Sequence, residues 1–307
     1  MITWESILIK DRTPNQVIYE TIKSQWLEYP LGIFLLSSPE RVEEGQKVFR
    51  DIEAYDGTII LDQDKFTERY IVKAKTRYDQ AVIQILSGAG IKKYNIDQSD
   101  KVLSNDLEYE PGTPKIEAIN DLLNAINYTP LWVDEWGYFT ATRYIPPSDR
   151  GIDYEYLDDE LSVIENGISE EYDLFNVPNK WLVTYENVDG GEDQKVFLQS
   201  VYENKNPDSP TSSVNLGRVI VDYRQVEDIA DQAALNEYVK RIAFEASQVY
   251  GKIKFNTAIM PFHSYMDMIR IRNNTLGLDA VYTETSWKIP LAVGGRMEHE
   301  GRRVVNI

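Results

Sequence analysis

The 307 residues include 50 acidic and 32 basic side chains, a formal net charge of −18, with 42% hydrophobic residues, 11% aromatics and no cysteine. That composition excludes disulfide frameworks and thiolate nucleophiles or zinc sites, disfavours phosphate-rich partners through like-charge repulsion, and suits a packed core of about two domains rather than long disorder. The most apolar stretch, Leu31 to Leu36, is too short to span a bilayer, and the opening MITWESILIKDR lacks the basic and apolar segments of an export signal.

From Tyr29, short apolar runs broken by Pro, Gly and acidic residues predict β-hairpins. Leu31 to Leu36 reads as a buried strand, Glu43-Glu44-Gly45 as a turn, Val48 to Ala54 as an alternating strand and Asp56-Gly57 as the next turn. Helical spacing begins at Thr76, where Tyr78, Ala81, Val82, Ile85 and Leu86 recur until Gly88 and Gly90 end the run. A second helix is predicted from Pro114 to Asn127, with Thr113 as N-cap and Ile116, Ile119, Leu122, Leu123 and Ile126 on one face. Leu131 to Asp134 and Tyr138 to Arg143 then flank Glu135-Trp136-Gly137 as a hairpin. The acidic stretch from Ile145 to Pro178 has no sustained period and reads as a linker or exposed lobe.

Strands resume at Lys180 to Glu186 and Gln194 to Tyr202, around the turn-rich NVDGGED, and ENKNPDSPTSS follows as a mobile loop. The clearest element is a long helix over residues 226–250, with Ile229, Ala233, Tyr238, Ile242, Ala246 and Val249 as its stripe. Alternating segments Phe255 to Met260, Met266 to Arg272, Ala280 to Ile289 and Arg296 to Val305 predict a closing antiparallel sheet, with turns at Asn273-Asn274, Gly277 and Gly294-Gly295. The fold class expected is α+β: mainly antiparallel, β-barrel-like domains with an inserted small α/β unit and one long helix. The divisions expected are 1–75 (first β-rich domain), 76–145 (α/β unit), 146–178 (linker or lobe) and 179–307 (second β-rich domain with the helix).

Chemistry is sparse. The only histidines, His263 and His299, have neither a second histidine nor a carboxylate at metal-ligand spacing, and His263 in MPFHSYMD reads as an ordinary loop residue between strands. Asp134-Glu135 beside Trp132 and Trp136 resembles a sugar-site carboxylate flanked by stacking aromatics. Adjacent strand residues face opposite ways, however, so the pair does not make a two-carboxylate glycosidase site. Asp62-Gln63-Asp64 begins like a calcium loop, but Phe66 replaces an oxygen ligand and Lys73 the terminal glutamate. The glycine pairs give no nucleotide-binding fingerprint, and no GxSxG elbow occurs. Arg270 and Arg272 share a strand face and Arg302-Arg303 lie near the end, arrangements that meet acidic neighbours either within a fold or across a subunit boundary. No catalytic, cofactor-binding or metal residue is assigned, and no cofactor is expected.

Six blocks resemble, in order, tail hub (baseplate hub) proteins of phages and of bacteriocin-like, phage-derived tail particles. They are Tyr29 to Arg41, Ile52 to Val72, Glu110 to Arg150, Val177 to Asn187, Asn206 to Val221 and Gly277 to Val305. The resemblance implies a non-enzymatic structural protein that caps the distal tail tube. It implies a homotrimer in which each copy gives two related β-barrel tube domains, so that three chains adapt a hexameric tube to a trimeric tip or spike. Partners implied are the tail tube or distal tail protein, the spike or tip protein, the tape-measure protein and other baseplate proteins. The resemblance also implies a lumen through which DNA can pass without specific binding and a location at the virion tail tip after assembly in the host cytoplasm; from the residues, no membrane-spanning segment is expected. Two other classes stay open from the residues: a carbohydrate-binding or adhesion module of the tail tip, and a cell-wall-degrading enzyme with a dispersed site.

Overall fold

The structure, a computed structural model, describes residues 28–159, 162–187, 196–226, 228–248 and 250–307. The opening segment MITWESILIKDR and most of the NVDGGED turn fall outside the described residues. A mixed α+β architecture is built from five helices and eighteen strands among the described residues.

Four short strands come first: β1 (Leu35–Leu36), β2 (Glu40–Glu44), β3 (Lys47–Asp51) and β4 (Ala54–Tyr55). Strands β2 and β3 form an antiparallel ribbon closed at Glu44↔Lys47, with Gly45 at φ 64, where a side chain would strain the turn. All ten ribbon residues are exposed. Leu31 to Leu36 is not the buried strand expected: Ile33, Phe34 and Leu36 are exposed at 55%, 52% and 74%, and only Leu35–Leu36 pairs as a strand, with β4. Among the described residues no second layer buries the apolar run.

Helices α1 (Thr58–Gln63), α2 (Tyr78–Gly88) and α3 (Lys115–Ala125) pack with β5 (Tyr70–Val72), β6 (Tyr94–Ile96), β7 (Leu107–Tyr109), β8 (Trp132–Val133) and β9 (Phe139–Ala141). Their core runs from Leu61, Phe66 and Val72 through Tyr78, Ile85, Ile119 and Leu122 to Phe139 and Ala141. Helix α1 was not foreseen in the β-branched TIILDQ; the Asp56 carboxylate accepts from the Thr58 amide at 2.8 Å and secures its start. Pro114, expected inside α3, stands at its N-cap with no side-chain cap bond. The predicted hairpin is β8–β9, antiparallel across Val133↔Phe139.

The stretch read as a linker supplies β10 (Tyr154–Tyr156) and β11 (Ser169–Tyr172), the two edges of the largest sheet. Strands of three and four residues are too short to register a period over a reading window, which is why the sequence hid them. Next come β12 (Lys180–Asn187), β13 (Val196–Glu203), α4 (Ser213–Leu216), β14 (Val221–Val226) and α5 (Gln232–Gln248). The sheet β13-β12-β14 is covered on one face by α5, with Trp181, Val183 and Tyr185 against Leu235, Val239 and Ile242. Helix α5 starts later than the predicted residue 226, because Val221–Val226 pairs with β12 and the Asp231 carboxylate then accepts from the Ala234 amide at 2.7 Å. Val249, assigned to its stripe, lies outside the described residues. The segment after β13, expected as a mobile loop, is tied down by internal contacts: Asn204, Thr211 and Ser212 are buried, Asn204 Nδ2 donates to Ser209 Oγ at 2.9 Å, and Ser212 caps α4.

The chain closes with β15 (Gly251–Ala258), β16 (Met268–Asn273), β17 (Leu278–Lys288) and β18 (Arg296–Arg303). The six-stranded order is β10-β16-β17-β18-β15-β11, antiparallel except where β10 runs parallel to β16. Among the described residues no ladder joins β10 to β11, so the sheet is open rather than a closed barrel. No described helix is long and apolar enough to cross a membrane.

Candidate functional site

Strand alternation sends Ile253, Phe255 and Thr257 of β15, and Met297, His299 and Gly301 of β18, to the inner face of the large sheet. Phe255 stands opposite His299 in register, and Gly301 stands opposite Glu284 of β17. The β17–β18 register then slips between Glu284 and Ser286, so Thr285 has no opposite residue and Glu284 is the last paired position before a bulge. His263 arrives from the β15–β16 loop, whose end is tied to this point by the Glu284 amide donating to Asp267 O at 2.9 Å.

The sheet thus brings both histidines onto one carboxylate, correcting the expectation that they lack partners. His299 Nδ1 lies 2.5 Å from Glu284 Oε1, and His263 Nδ1 lies 2.5 Å from Glu284 Oε2. The outer nitrogens are also engaged: His263 Nε2 meets the Tyr156 hydroxyl at 2.5 Å, and His299 Nε2 meets Thr257 Oγ1 at 2.8 Å. All three central side chains have 0% exposure. His299 stacks on Phe255 with ring centroids 4.6 Å apart, and Tyr154 and Phe262 flank His263.

Electrostatics follow from that enclosure. Burial pushes the His263 imidazole down, but the Asp267 and Glu284 carboxylates outweigh it and raise its pKa to about 9. Burial likewise pushes Glu284 up, and the two imidazoles win, holding it below the ordinary carboxylate value. The arrangement can clamp the 259–267 loop to the sheet, and its ligand atoms, all within 4.8 Å of one another, are a donor set for a metal ion. All three side chains are enclosed, while His263 as a residue is only partly buried.

The other residues singled out lie elsewhere. Asp134 accepts from the Trp136 and Tyr138 amides at 3.0 and 2.7 Å and so serves its turn. Together with Glu135, Trp132, Trp136, Tyr265, Trp287, Leu31 and Ile33 it lines a groove of about 500 Å³ that His263 also borders. Asp62 lies in α1 and Asp64 binds Lys115 at 2.5 Å. Arg270 meets Asp279 and Glu155 at 2.9 and 3.3 Å within the same chain, and Arg303 meets Glu170 at 3.3 Å. The signal that could have exposed the His–Glu–His cluster was polar residues at inward strand positions, since such groups demand buried partners.

No protein-family model matches the sequence, and no curated protein matches it. The fold has solved counterparts. The tail protein from Neisseria meningitidis MC58 superposes with a TM-score of 0.66 at 13% identity, over 90% of this chain and 80% of that one. The 43 kDa tail protein of prophage MuSo2 from Shewanella oneidensis gives 0.61 at 11% identity, over 87% and 77%. The prophage tail protein gp18 from Listeria monocytogenes EGD-e gives 0.57 at 12% identity, over 94% and 82%. Over nine-tenths of its length this chain therefore shares the fold of such tail proteins.

Proposed function

We propose that this chain is a structural component of a phage-type tail, the baseplate hub that caps the distal tube and adapts a hexameric ring to a trimeric tip or spike. The observation that carries the reading is the whole-length fold likeness to phage tail proteins, at a TM-score of 0.66 over 90% of the chain. Surface character supports it. The outer face of the β13-β12-β14 sheet leaves Val201, Val221 and Tyr223 exposed, and the Leu31–Leu36 run is bare, as subunits that bury area against one another require. In this reading the chain is a non-enzymatic homotrimer that contacts the tube or distal tail protein, the tape-measure protein, the tip or spike and other baseplate proteins. It resides at the virion tail tip after assembly in the host cytoplasm. The net charge of −18 per chain suits a channel through which DNA slides without adhering.

Native mass spectrometry of the full chain, alone and with its neighbouring tail proteins, tests the proposal. A mass of three chains, with rings in negative stain, is expected; a monomer under every condition refutes it. The aromatic groove around Trp132, Trp136 and Tyr265 favours a second reading, an adhesion module, because exposed ring faces stack on sugars. Glycan-array binding by a persistent monomer, lost in Trp136→Ala, would promote that reading over the first.

A further inference from the structure

We propose that His263, Glu284 and His299 bind one divalent transition-metal ion, with Zn²⁺ as its representative, which fastens the 259–267 loop to the large sheet. The inference does not depend on the tail reading.

Three observations carry it. First, each imidazole engages a hydroxyl through Nε2, Tyr156 for His263 and Thr257 for His299, which fixes ring orientation as outer partners of metal-bound histidines do. Both Nδ1 atoms consequently face the same carboxylate, and the three ligand atoms fall within 4.8 Å. Second, only one of the two contacts is aligned as a hydrogen bond. The His299 pair is hydrogen-bonded at 2.5 Å. His263 Nδ1 and Glu284 Oε2 are equally close, yet misaligned for N–H···O, and both are buried with no aligned partner. Buried polar atoms left in that state are rare, and an ion accepts both without the linear requirement of a hydrogen bond. Third, all three side chains have 0% exposure, so those atoms make no contact with bulk solvent.

Ligand chemistry selects the class of ion. Two imidazoles and a carboxylate suit Zn²⁺ and its first-row neighbours, whereas Ca²⁺ and Mg²⁺ prefer all-oxygen shells. Bonds of about 2.0 to 2.2 Å require the two 2.5 Å nitrogen–oxygen contacts to part so that the ion sits between them. Asp267, whose Oδ2 lies 3.6 Å from His263 Nδ1, is the nearest further carboxylate for a fourth position. Because His263 belongs to a loop and the other two to neighbouring strands, the ion would join elements that the sheet ladder leaves separate.

The test uses the full chain, stripped with a chelator and titrated with ZnCl₂ by calorimetry, with thermal melts alongside. One equivalent of Zn²⁺ per chain is expected, raising Tm by about 5 °C when the ion exceeds its Kd a hundredfold. His263→Ala, a loop substitution that leaves the strands intact, should keep the far-ultraviolet spectrum and lose at least about tenfold in Zn²⁺ affinity. Glu284→Gln should weaken binding similarly, and His263→Ala keeps the test valid if Glu284→Gln does not fold. Absence of Zn²⁺ binding by the wild-type chain, undiminished binding by His263→Ala, or equal stabilisation by CaCl₂ would each overturn the proposal.

Discussion

Replacing Arg241 with methionine probes how α5 is joined to the helical unit. The side chain is 7% exposed, with Nη1 donating to Tyr128 O and Nη2 to Asn124 Oδ1, both at 2.7 Å. Tyr144 and Tyr238 lie 5.6 and 5.4 Å from the guanidinium carbon, which places the cation between two ring faces. A hydrogen bond from a charged donor contributes about 1.5 to 3 kcal/mol, so two sum to about 3 to 6 kcal/mol, and methionine recovers part by keeping the stem buried. The net loss expected is about 3 to 5 kcal/mol, the range for removing one member of a buried charged network. Glu245, which burial raises and Arg241, Arg224 and Arg302 lower, loses the first of those counter-charges as well. Urea unfolding followed by tryptophan fluorescence should show the midpoint falling by about 1 to 2 M, for an m-value near 3 kcal/mol/M. Arg241→Lys keeps the charge but cannot span both acceptors, and should recover less than half of the loss. A loss below about 1 kcal/mol for Arg241→Met would refute the view that this fork ties the two units together.

Three further substitutions test separate layers of the argument. Trp181 has 0% exposure and an indole N–H without a hydrogen-bond partner, so Trp181→Ala should cost about 3 to 5 kcal/mol and Trp181→Phe markedly less in the same urea assay. Gly301→Ala would set a Cβ 3.2 Å from Tyr282 Cβ and 3.3 Å from Ile253 Cγ2, and overpacking of about 1 to 3 kcal/mol should appear as a lower Tm. Burial raises the Asp228 carboxyl above its ordinary 3.8 despite the 2.8 Å bond from Tyr78. Its ionised form therefore weakens the fold at pH above the raised value, and the penalty vanishes below 3.8. Asp228→Asn should thus raise Tm at pH 7, with the gain shrinking as pH falls toward 4; an unchanged gain would show that ionisation is not its source.

Helices α2 and α3 were legible because Ala81, Val82, Ile85 and Leu86, and Ile119, Leu122 and Leu123, repeat at a period only a helix satisfies, and all are buried. The four closing strands were equally plain, since alternation survives over eight residues in β15 and β18. Tyr154 and Tyr156 gave no such signal: an edge strand of three residues is decided by its partner, here the parallel β16. The histidine cluster was hidden for another reason. Glu284 and His299 are 15 residues apart, and their meeting depends on strand register and on a bulge at Thr285 that no spacing rule contains. The intrachain pairing of Arg270 with Asp279 settles a choice that the residues alone left open between fold and subunit boundary.

The ribbon of β2 and β3 carries a thermodynamic corollary. Ten exposed residues, paired among the described residues only with one another, gain almost nothing from burial, and a lone two-stranded hairpin hovers near the balance of order and disorder in water. Val42, Val48 and Phe49 stand exposed on it at 40%, 56% and 50%, so association that covered them would supply free energy the ribbon's own ladder lacks. Amide exchange along the arm should accordingly slow with protein concentration while the sheets behind it stay indifferent.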